Sequence, residues 1–298
     1  MNPAGTLGVF TTAKDRSTEL RDAVRAHAGN GTANGLWVQV TGGKTKLKGI
    51  STGAQDLDLD TDAYGLAVGG EAAVQNITLG AAFMGGSGKT ENDSVAGKDD
   101  FNYYGFSLYA KTQVQGIDLE GDLSAAWLKS DLTVGGAADV DTDTTTAVYS
   151  LGIQAKKTFN LGVDVTPFIG MDVYHIKSDG FTTNHGVSIE DANATIVEFP
   201  IGAEVKKAFQ TASGFSVAPS FSLAVVPTVG SKDIDSKVRF AGAESTYNYT
   251  FADDVKVRSQ LGIEAQKDNF TLGLAAGYDW GNEERSAVSV QLHAKYAF

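Results

Sequence analysis

Residues 286–298 read SAVSVQLHAKYAF and end on an aromatic side chain, Phe298. From Val288 onward, every even position of this stretch is apolar or small. The odd positions are polar: Ser289, Gln291, His293 and Lys295. Because successive side chains of a strand point to opposite faces, this period of two predicts one strand with an apolar and a polar face. The apolar face needs either a protein core or lipid, and the rest of the chain distinguishes the two.

The same period of two continues through the sequence from residue 35 to the end. It begins with GLWVQVTGGKTK (35–46) and continues in the predicted hairpin TDAYGLAVGGEAAVQNITLGAAF (61–83). We count about twelve strands of roughly 10–15 residues each, which is long for a soluble sheet and suitable for a tilted membrane-spanning strand.

The predicted connections between these strands alternate between short and long. The short turns are 75–76, 115–116, 158–161, 210–213 and 267–269. The long polar segments are 48–62, 86–100, 131–143, 178–193 and 227–250. Short turns at one end and long loops at the other are typical of an outer-membrane β-barrel, and a soluble sandwich has no reason to keep this alternation.

Composition excludes several other classes. The 298-residue chain has 35 glycines, 5 prolines, no cysteine and a net charge of −12. The charge makes nucleic acid an unsuitable partner, and the absence of cysteine excludes disulfides, thiol catalysis and zinc–thiolate sites. No apolar run is long enough for a transmembrane helix. The start, residues 1–17, lacks the basic and apolar regions of a signal peptide, so we expect any export signal to lie upstream.

The polar faces of the predicted strands carry many charges, among them Asp122 and Asp172, and these require a wet lumen rather than a dry core. The residues that we expect to line the lumen are Trp37, Glu71, Glu120, Glu204, Arg258, Glu264, His293 and Lys295.

Residues 13–28, AKDRSTELRDAVRAHA, predict the one convincing helix. It has a narrow apolar stripe that includes Leu20 and Val24, and it is charged almost everywhere else. Gly29 to Gly31 predict its C-cap. We therefore divide the chain into residues 1–12 as a linker without a strong pattern, 13–34 as helix and linker, and 35–298 as the barrel.

This order of polar helix, about twelve strands and aromatic terminus resembles the translocator (β-) domain of autotransporters, the type V secretion proteins. The resemblance covers residues 13–298. It implies an all-β fold, a 12-stranded antiparallel transmembrane barrel whose lumen is plugged by the N-terminal helix. The helix residues that it implicates are Arg16, Leu20, Arg21, Val24 and Arg25.

The resemblance also implies a Gram-negative outer-membrane location, a monomer and no cofactor, metal or catalytic site. The implied partners are outer-membrane lipid and lipopolysaccharide, periplasmic chaperones, the barrel assembly machinery and the chain's own upstream passenger, which is displayed on the cell surface. The assembly signal would be Tyr296 and Phe298. Because the helix has no Asn-Asn pair, we do not predict self-cleavage of a passenger.

The helix arginines Arg16, Arg21 and Arg25 are expected to meet lumen carboxylates, with Glu71, Glu120, Glu204 and Glu264 as candidates. Two other functions remain open from the residues alone: a porin or small-solute channel, and an enzyme at the rim that uses His175 and His185. GGSGKT (85–90) lacks phosphate-loop spacing, and the acidic stretches 56–62 and 139–144 are predicted to be solvated loops.

Overall fold

The computed structural model describes residues 4–27, 34–51, 56–92, 97–134, 140–282 and 284–298. They form one N-terminal helix and a closed antiparallel barrel of twelve strands, as the sequence predicts. The helix α1 is Ala4–His27. The strand segments are β1 (Gly35–Ser51), β2 (Asp56–Val74), β3 (Ile77–Asn92), β4 (Gly97–Val114), β5 (Ile117–Val134), β6 (Val140–Lys156), β7 (Phe159–Asn160), β8 (Asp164–Ser178), β9 (Phe181–Thr182), β10 (Ser188–Ile189), β11 (Ala192–Glu198), β12 (Ile201–Lys206), β13 (Phe209–Gln210), β14 (Ser216–Gly230), β15 (Asp233–Phe240), β16 (Ala243–Thr250), β17 (Val255–Lys267), β18 (Phe270–Gly281) and β19 (Arg285–Ala297).

The barrel strands are β1–β6, β8, β11 with β12, β14, β17, β18 and β19, and each pairs with its neighbour along the chain. β11 and β12 form one barrel strand that is interrupted at Phe199 and Pro200, where proline has no backbone donor. β19 closes the barrel against β1 in a register that runs from Gly35 opposite Ala297 to Leu47 opposite Arg285. No described backbone edge of the barrel wall is therefore left at this seam.

The barrel has a turn end and a loop end. The turn end holds the tight turns at residues 75–76 and 115–116 and both termini of the barrel wall, Gly35 and Ala297. The turns that connect β6 to β8, β12 to β14 and β17 to β18 also lie at the turn end. The loop end holds the alternate connections, including a separate four-stranded sheet of β9, β10, β15 and β16. The hairpin β15–β16 supplies most of that sheet.

The wall is apolar outside and polar inside. In β4, exposed and buried residues alternate almost without a break, with Phe106 and Leu108 exposed and Ser107 and Tyr109 buried. Outward aromatic rings also contact one another, since Tyr104 stacks on Trp127 at 5.4 Å between ring centroids. This inverted pattern suits a barrel whose outer face contacts hydrocarbon.

The predicted helix start is wrong, because α1 begins at Ala4 instead of residue 13. Gly8, Val9, Thr11 and Thr12 have low helix propensity, which hid this part of the helix from the sequence pattern. In the structure these residues lie beneath the strands of the loop end, and Phe10 is fully buried there. Tertiary burial therefore overrides the weak local preference. The predicted cap at Gly29 to Gly31 lies outside the described residues.

Much of the sequence predicted to form long loops belongs to strands in the structure. β1 continues to Ser51 and β2 already starts at Asp56, so the acidic stretch 56–62 belongs to a strand, as does GGSGKT (85–90). Charged residues and glycine dominate these extensions, a composition that is typical of loops, while the backbone pairing continues, with Asp60 opposite Lys46 and Glu91. Of the acidic stretch 139–144, the described part starts β6.

Candidate functional site

The candidate functional site is the lumen, which α1 occupies along its length. Near its start, Phe10 meets Phe251 of the loop end at 5.6 Å between ring centroids. At its end, His27 stacks on Trp37, close to the start of β1 at the turn end. The helix therefore runs from the loop end to the turn end, and the next described residue, Asn34, precedes β1.

Two lumen aspartates hold the middle of the helix. Arg25 donates from both terminal nitrogens to Asp172, at 3.1 and 2.6 Å, and Arg21 Nε lies 3.0 Å from Asp122 Oδ2. The Arg21 guanidinium also lies over the Tyr174 ring, 4.6 Å from its centroid. Arg21 is 0% exposed, so its charge depends on these contacts.

A glycine in the wall makes room for this cluster. A Cβ on Gly152 would overlap the Asp122 carboxylate and lie 2.7 Å from both Arg21 Nε and an Arg25 terminal nitrogen. The absence of a side chain at this wall position therefore allows the two arginines to reach their aspartates.

A second group of charges lies nearer the loop end. The Glu198 carboxylate receives two ammonium groups, from Lys14 of the helix at 2.6 Å and from Lys256 of β17 at 2.9 Å. Asp15 of the helix pairs with Arg285 at the start of β19. These contacts tie the helix to β11 and β19 and bring Lys256 of β17 into the same group.

Arg258 contributes a further link from the wall. Its guanidinium lies 3.2 Å from Asp22 of the helix and 3.2 Å from Asp279 of the neighbouring strand β18. The ion pairs between helix and wall thus have both polarities. Cations of the helix pair with wall carboxylates, and a helix carboxylate pairs with a wall cation.

Aromatic and imidazole rings pack around the end of the helix. The His27 ring stacks on Trp37 at 4.4 Å and meets His293 edge-on at 4.7 Å, and its Nε2 lies 3.0 Å from Gln39 Oε1. Trp37 Nε1 donates to the Tyr109 hydroxyl at 3.1 Å. Lys295 donates to the His27 carbonyl at 2.9 Å, which caps one of the last helix carbonyls.

Wall glycines in this region accommodate wall side chains rather than the helix itself. A Cβ on Gly69 would overlap the Trp37 indole, and one on Gly273 would overlap the His293 imidazole. The small residues along the predicted lumen face thus let large rings of neighbouring strands lie flat against the wall.

Arg21 and Arg25 meet lumen carboxylates as expected, but these are two aspartates and not the four candidate glutamates. Arg21 and Arg25 contact Asp122 and Asp172, and Arg16 contacts Glu19 of its own helix at 2.5 Å.

The four candidate glutamates are placed elsewhere in the lumen. Glu71 pairs with Lys295, Glu120 lies 2.5 Å from Lys156, and Glu264 pairs with Lys206. Glu204 is half-buried on β12. Sequence placed Asp122 and Asp172 on polar faces but could not match their depth to the helix, because depth depends on strand tilt and stagger.

The remaining candidates lie apart from this cluster. His175 lies on the exposed face of β8, with its Nδ1 2.9 Å from Thr195 Oγ1, and His185 is exposed beyond β9. Tyr296 and Phe298 are exposed at the turn end, and the Phe298 amide donates to the Asn34 carbonyl at 2.9 Å. Within the described residues, no cluster of three or more His, Asp or Glu side chains could hold a metal ion. The described helix is not long and apolar enough to span a membrane.

Comparison with known families decides the identity of this fold. A family model described as autotransporter β-domain matches residues 36–279. The chain belongs to the autotransporter β-domain family. A comparison with curated proteins found no match to the sequence.

Solved autotransporter domains share the architecture. The translocator domain of NalP from Neisseria meningitidis is 13% identical with a TM-score of 0.73, over 97% of this chain and 99% of that one. The transport unit of AIDA-I from Escherichia coli is 14% identical with a TM-score of 0.65, over 96% and 98%. The β domain of BrkA from Bordetella is 15% identical with a TM-score of 0.61, over 90% and 100%. At such identities the likeness establishes the shared fold.

Proposed function

We propose that this chain is the outer-membrane translocator and anchor of an autotransporter, which exports an upstream passenger to the cell surface. The observation that carries this proposal is the direction of α1, which enters the lumen at the loop end and leaves at the turn end. Long connections face the cell exterior in outer-membrane barrels, so a passenger attached before Ala4 would lie outside the cell.

The lumen contacts support a plug that stays in place after export. Ion pairs hold the helix from Lys14 to Arg25, and the side chains of the Lys14–Glu198 and Arg21–Asp122 pairs are almost completely removed from solvent. Breaking such a pair leaves an uncompensated buried charge, which costs about 3–5 kcal/mol. A channel for small solutes would need this space open, so the filled lumen disfavours the porin alternative.

Membrane insertion of the barrel would depend on its last strand. We infer that the assembly machinery recognises β19 and its terminal aromatics, Tyr296 and Phe298, after periplasmic chaperones have delivered the chain. Both rings are exposed on the outer face, and they stack at 6.3 Å between centroids. The surrounding outer face would contact outer-membrane lipid and lipopolysaccharide, with the barrel as a monomer.

Replacement of the terminal aromatic tests the assembly role. Phe298→Ala should lower the yield of folded barrel in cells more than it lowers the thermal stability of the purified barrel. Phe240→Ala, which removes an exposed phenylalanine from the loop end, is the matched control and should change neither quantity. Equal losses of yield and stability in Phe298→Ala would contradict a recognition role.

Surface display tests the export function itself. A peptide epitope fused before Met1, behind a secretion signal, should be cleaved by protease that is added to intact cells. An epitope inserted at residues 115–116, in a turn of the turn end, should be cleaved only after the cells are opened. Protection of the N-terminal epitope in intact cells, with the barrel folded in the membrane, would contradict the proposal.

A further inference from the structure

Three neighbouring turns at the turn end carry a repeated pairing of lysine with phenylalanine. Residues 156–160 read KKTFN, and residues 206–210 read KKAFQ. The third turn places Lys267 close to Phe270 in sequence. These turns connect β6 to β8, β12 to β14 and β17 to β18, which follow one another around the barrel.

Strand alternation sends the two lysines of each repeat in opposite directions. The first lysine points inward: Lys156 lies 2.5 Å from Glu120, and Lys206 pairs with Glu264. The second lysine, Lys157 or Lys207, therefore lies on the outward face, at the turn-end edge of the apolar band. Lys267 is also outward, because it lies four residues after the exposed Ile263 on the same face of β17.

Each outward lysine lies over a phenylalanine ring. The ammonium of Lys157 is 5.5 Å from the Phe159 centroid, and that of Lys207 is 5.5 Å from the Phe209 centroid. Lys267 reaches across to the next turn, where its ammonium is 5.1 Å from the ring centroid of Phe215 and donates to the Ser213 carbonyl.

The rings are exposed and occupy the level at which the apolar wall ends. Phe159 is 44% exposed and Phe209 is 50% exposed. Aromatic rings favour the boundary between hydrocarbon and headgroups, and lysines there extend their ammonium groups into the headgroup layer. Each turn thus has an apolar anchor and a positive charge at the same depth.

These lysines differ from those at the loop end. Several loop-end lysines lie beside carboxylates, for example Lys89 at 2.9 Å from Glu91 and Lys98 at 2.5 Å from Asp100. Among the described residues, no carboxylate lies within ion-pair distance of the outward lysines in the three turns, which are Lys157, Lys207 and Lys267.

The turns also contain two acidic groups, and neither forms an ion pair with an outward lysine. Asp164 accepts a hydrogen bond from the Asn160 amide at 2.9 Å, and Asp268 lies in the tight turn after Lys267. The opposite side of the barrel offers a contrast, because its turns Gln75–Asn76 and Gln115–Gly116 have neither lysine nor phenylalanine.

We propose that this arc of three lysine–phenylalanine turns binds anionic phospholipid headgroups of the periplasmic leaflet and gives the barrel a preferred side for them. The inference rests on the proposed outer-membrane location. Neighbouring turns are two strands apart, about 10 Å, so the three ammonium groups can bind separate phosphate groups along the rim.

Lipid binding to the purified full chain tests the proposal. The chain in detergent micelles is given equal amounts of phosphatidylglycerol or phosphatidylcholine with identical acyl chains, and native mass spectrometry counts the bound lipids. We expect the wild type to retain phosphatidylglycerol preferentially. The triple variant Lys157→Gln, Lys207→Gln and Lys267→Gln should lose about tenfold or more in this preference, since each lysine near an anionic surface strengthens binding severalfold.

Two matched variants separate the arc from overall charge. Lys89→Gln, Lys98→Gln and Lys237→Gln remove the same charge from loop-end lysines that lie beside carboxylates, and should keep the preference. Replacement of the three arc lysines by arginine should restore it. Equal retention of both lipids by the wild type, or equal losses in both glutamine variants, would overturn the proposal. Displacement of the lipid by inorganic phosphate alone would also contradict a lipid site.

The conductance of the same arc variant keeps this test independent of the plug. Because the three lysines face outward, the arc variant should conduct as poorly as the wild type. A wild-type barrel that conducts poorly but shows no preference for phosphatidylglycerol would contradict the lipid site alone. An open wild-type barrel that still prefers phosphatidylglycerol contradicts the plug alone.

Discussion

The two halves of α1 lie in opposite environments. Residues 7–13 are buried with apolar side chains of the loop end, such as Phe251 and Tyr249, in what resembles an ordinary protein core. Residues 14–27 lie in a charged lumen, where Arg21 and Arg25 depend on aspartates. One continuous helix thus passes from an apolar core into a polar one.

This difference shows that each half is held by a different kind of free energy. The first half is stabilised by removal of apolar surface from water, which is not directional. The second half is stabilised by paired charges, which contribute only when both partners are present and well placed. Substitutions should therefore affect the two halves differently. The stability of residues 7–13 should depend on side-chain volume, and that of residues 14–27 on the pairing of charges.

The largest effect is expected from removal of the central arginines. Arg21→Ala with Arg25→Ala leaves Asp122 and Asp172 buried without partners, which should weaken retention of the helix by about 3–5 kcal/mol. Faster amide hydrogen exchange in residues 14–27 of the purified barrel would measure this loss.

Controls for this prediction lie in the same cluster and the same helix. Arg16→Ala removes one helix charge and leaves only Glu19 without its arginine, so it should have a smaller effect. Neutralising the wall with Asp122→Asn and Asp172→Asn should restore much of the protection in the double arginine variant. If the arginine variants exchange as slowly as the wild type, pairing does not hold this half.

A smaller effect is expected in the first half. Phe10→Ala removes a fully buried ring from its contact with Phe251 and should cost about 3 kcal/mol of local stability. Hydrogen exchange should accelerate in residues 7–13 and much less in residues 18–27. Phe240→Ala removes an exposed ring of the loop end and should leave both segments unchanged. Uniform acceleration along the helix would show that the halves are not separate.

The smallest effect is expected from crowding the wall. Gly152→Ala adds a methyl group against Arg21 and Asp122 and should cost about 1–3 kcal/mol. Gly121→Ala, on the neighbouring strand, meets only the Gly152 carbonyl at 3.7 Å and should be tolerated. Thermal unfolding of the plug, followed by hydrogen exchange at increasing temperature, should rank the two variants in this order. Equal exchange rates in the two variants would contradict the conclusion that Gly152 makes room for the arginine–aspartate cluster.

The barrel could be predicted from the sequence because lipid imposes a strict alternation. The outward face of β19 is evident from its alternating apolar residues, Val288, Val290 and Leu292. The same alternation of apolar and polar residues identifies the inward residues of other strands. Beyond the hydrocarbon the strands are rich in charged residues and glycine, as in residues 56–62 and 85–92. This composition predicts loops where the structure has strand extensions.

The contacts of the helix could not be predicted in the same way. Residue spacing shows that Arg21 and Arg25 share a helix face and that Asp122 points inward. It does not show that Asp122 lies at their depth, because that requires the tilt and stagger of the whole barrel. The first turns of α1 were missed since Gly8 and Val9 are poor helix formers that only burial makes helical.

Conductance across a planar bilayer tests most directly whether α1 closes the lumen. The purified wild-type barrel should conduct poorly, because apolar contacts hold residues 7–13 of the helix in place and ion pairs hold residues 14–25. A variant that lacks residues 1–30 should fold with the same strand content and conduct steadily at a much higher level. An unchanged conductance after this deletion, in a barrel shown to be folded, would contradict the account.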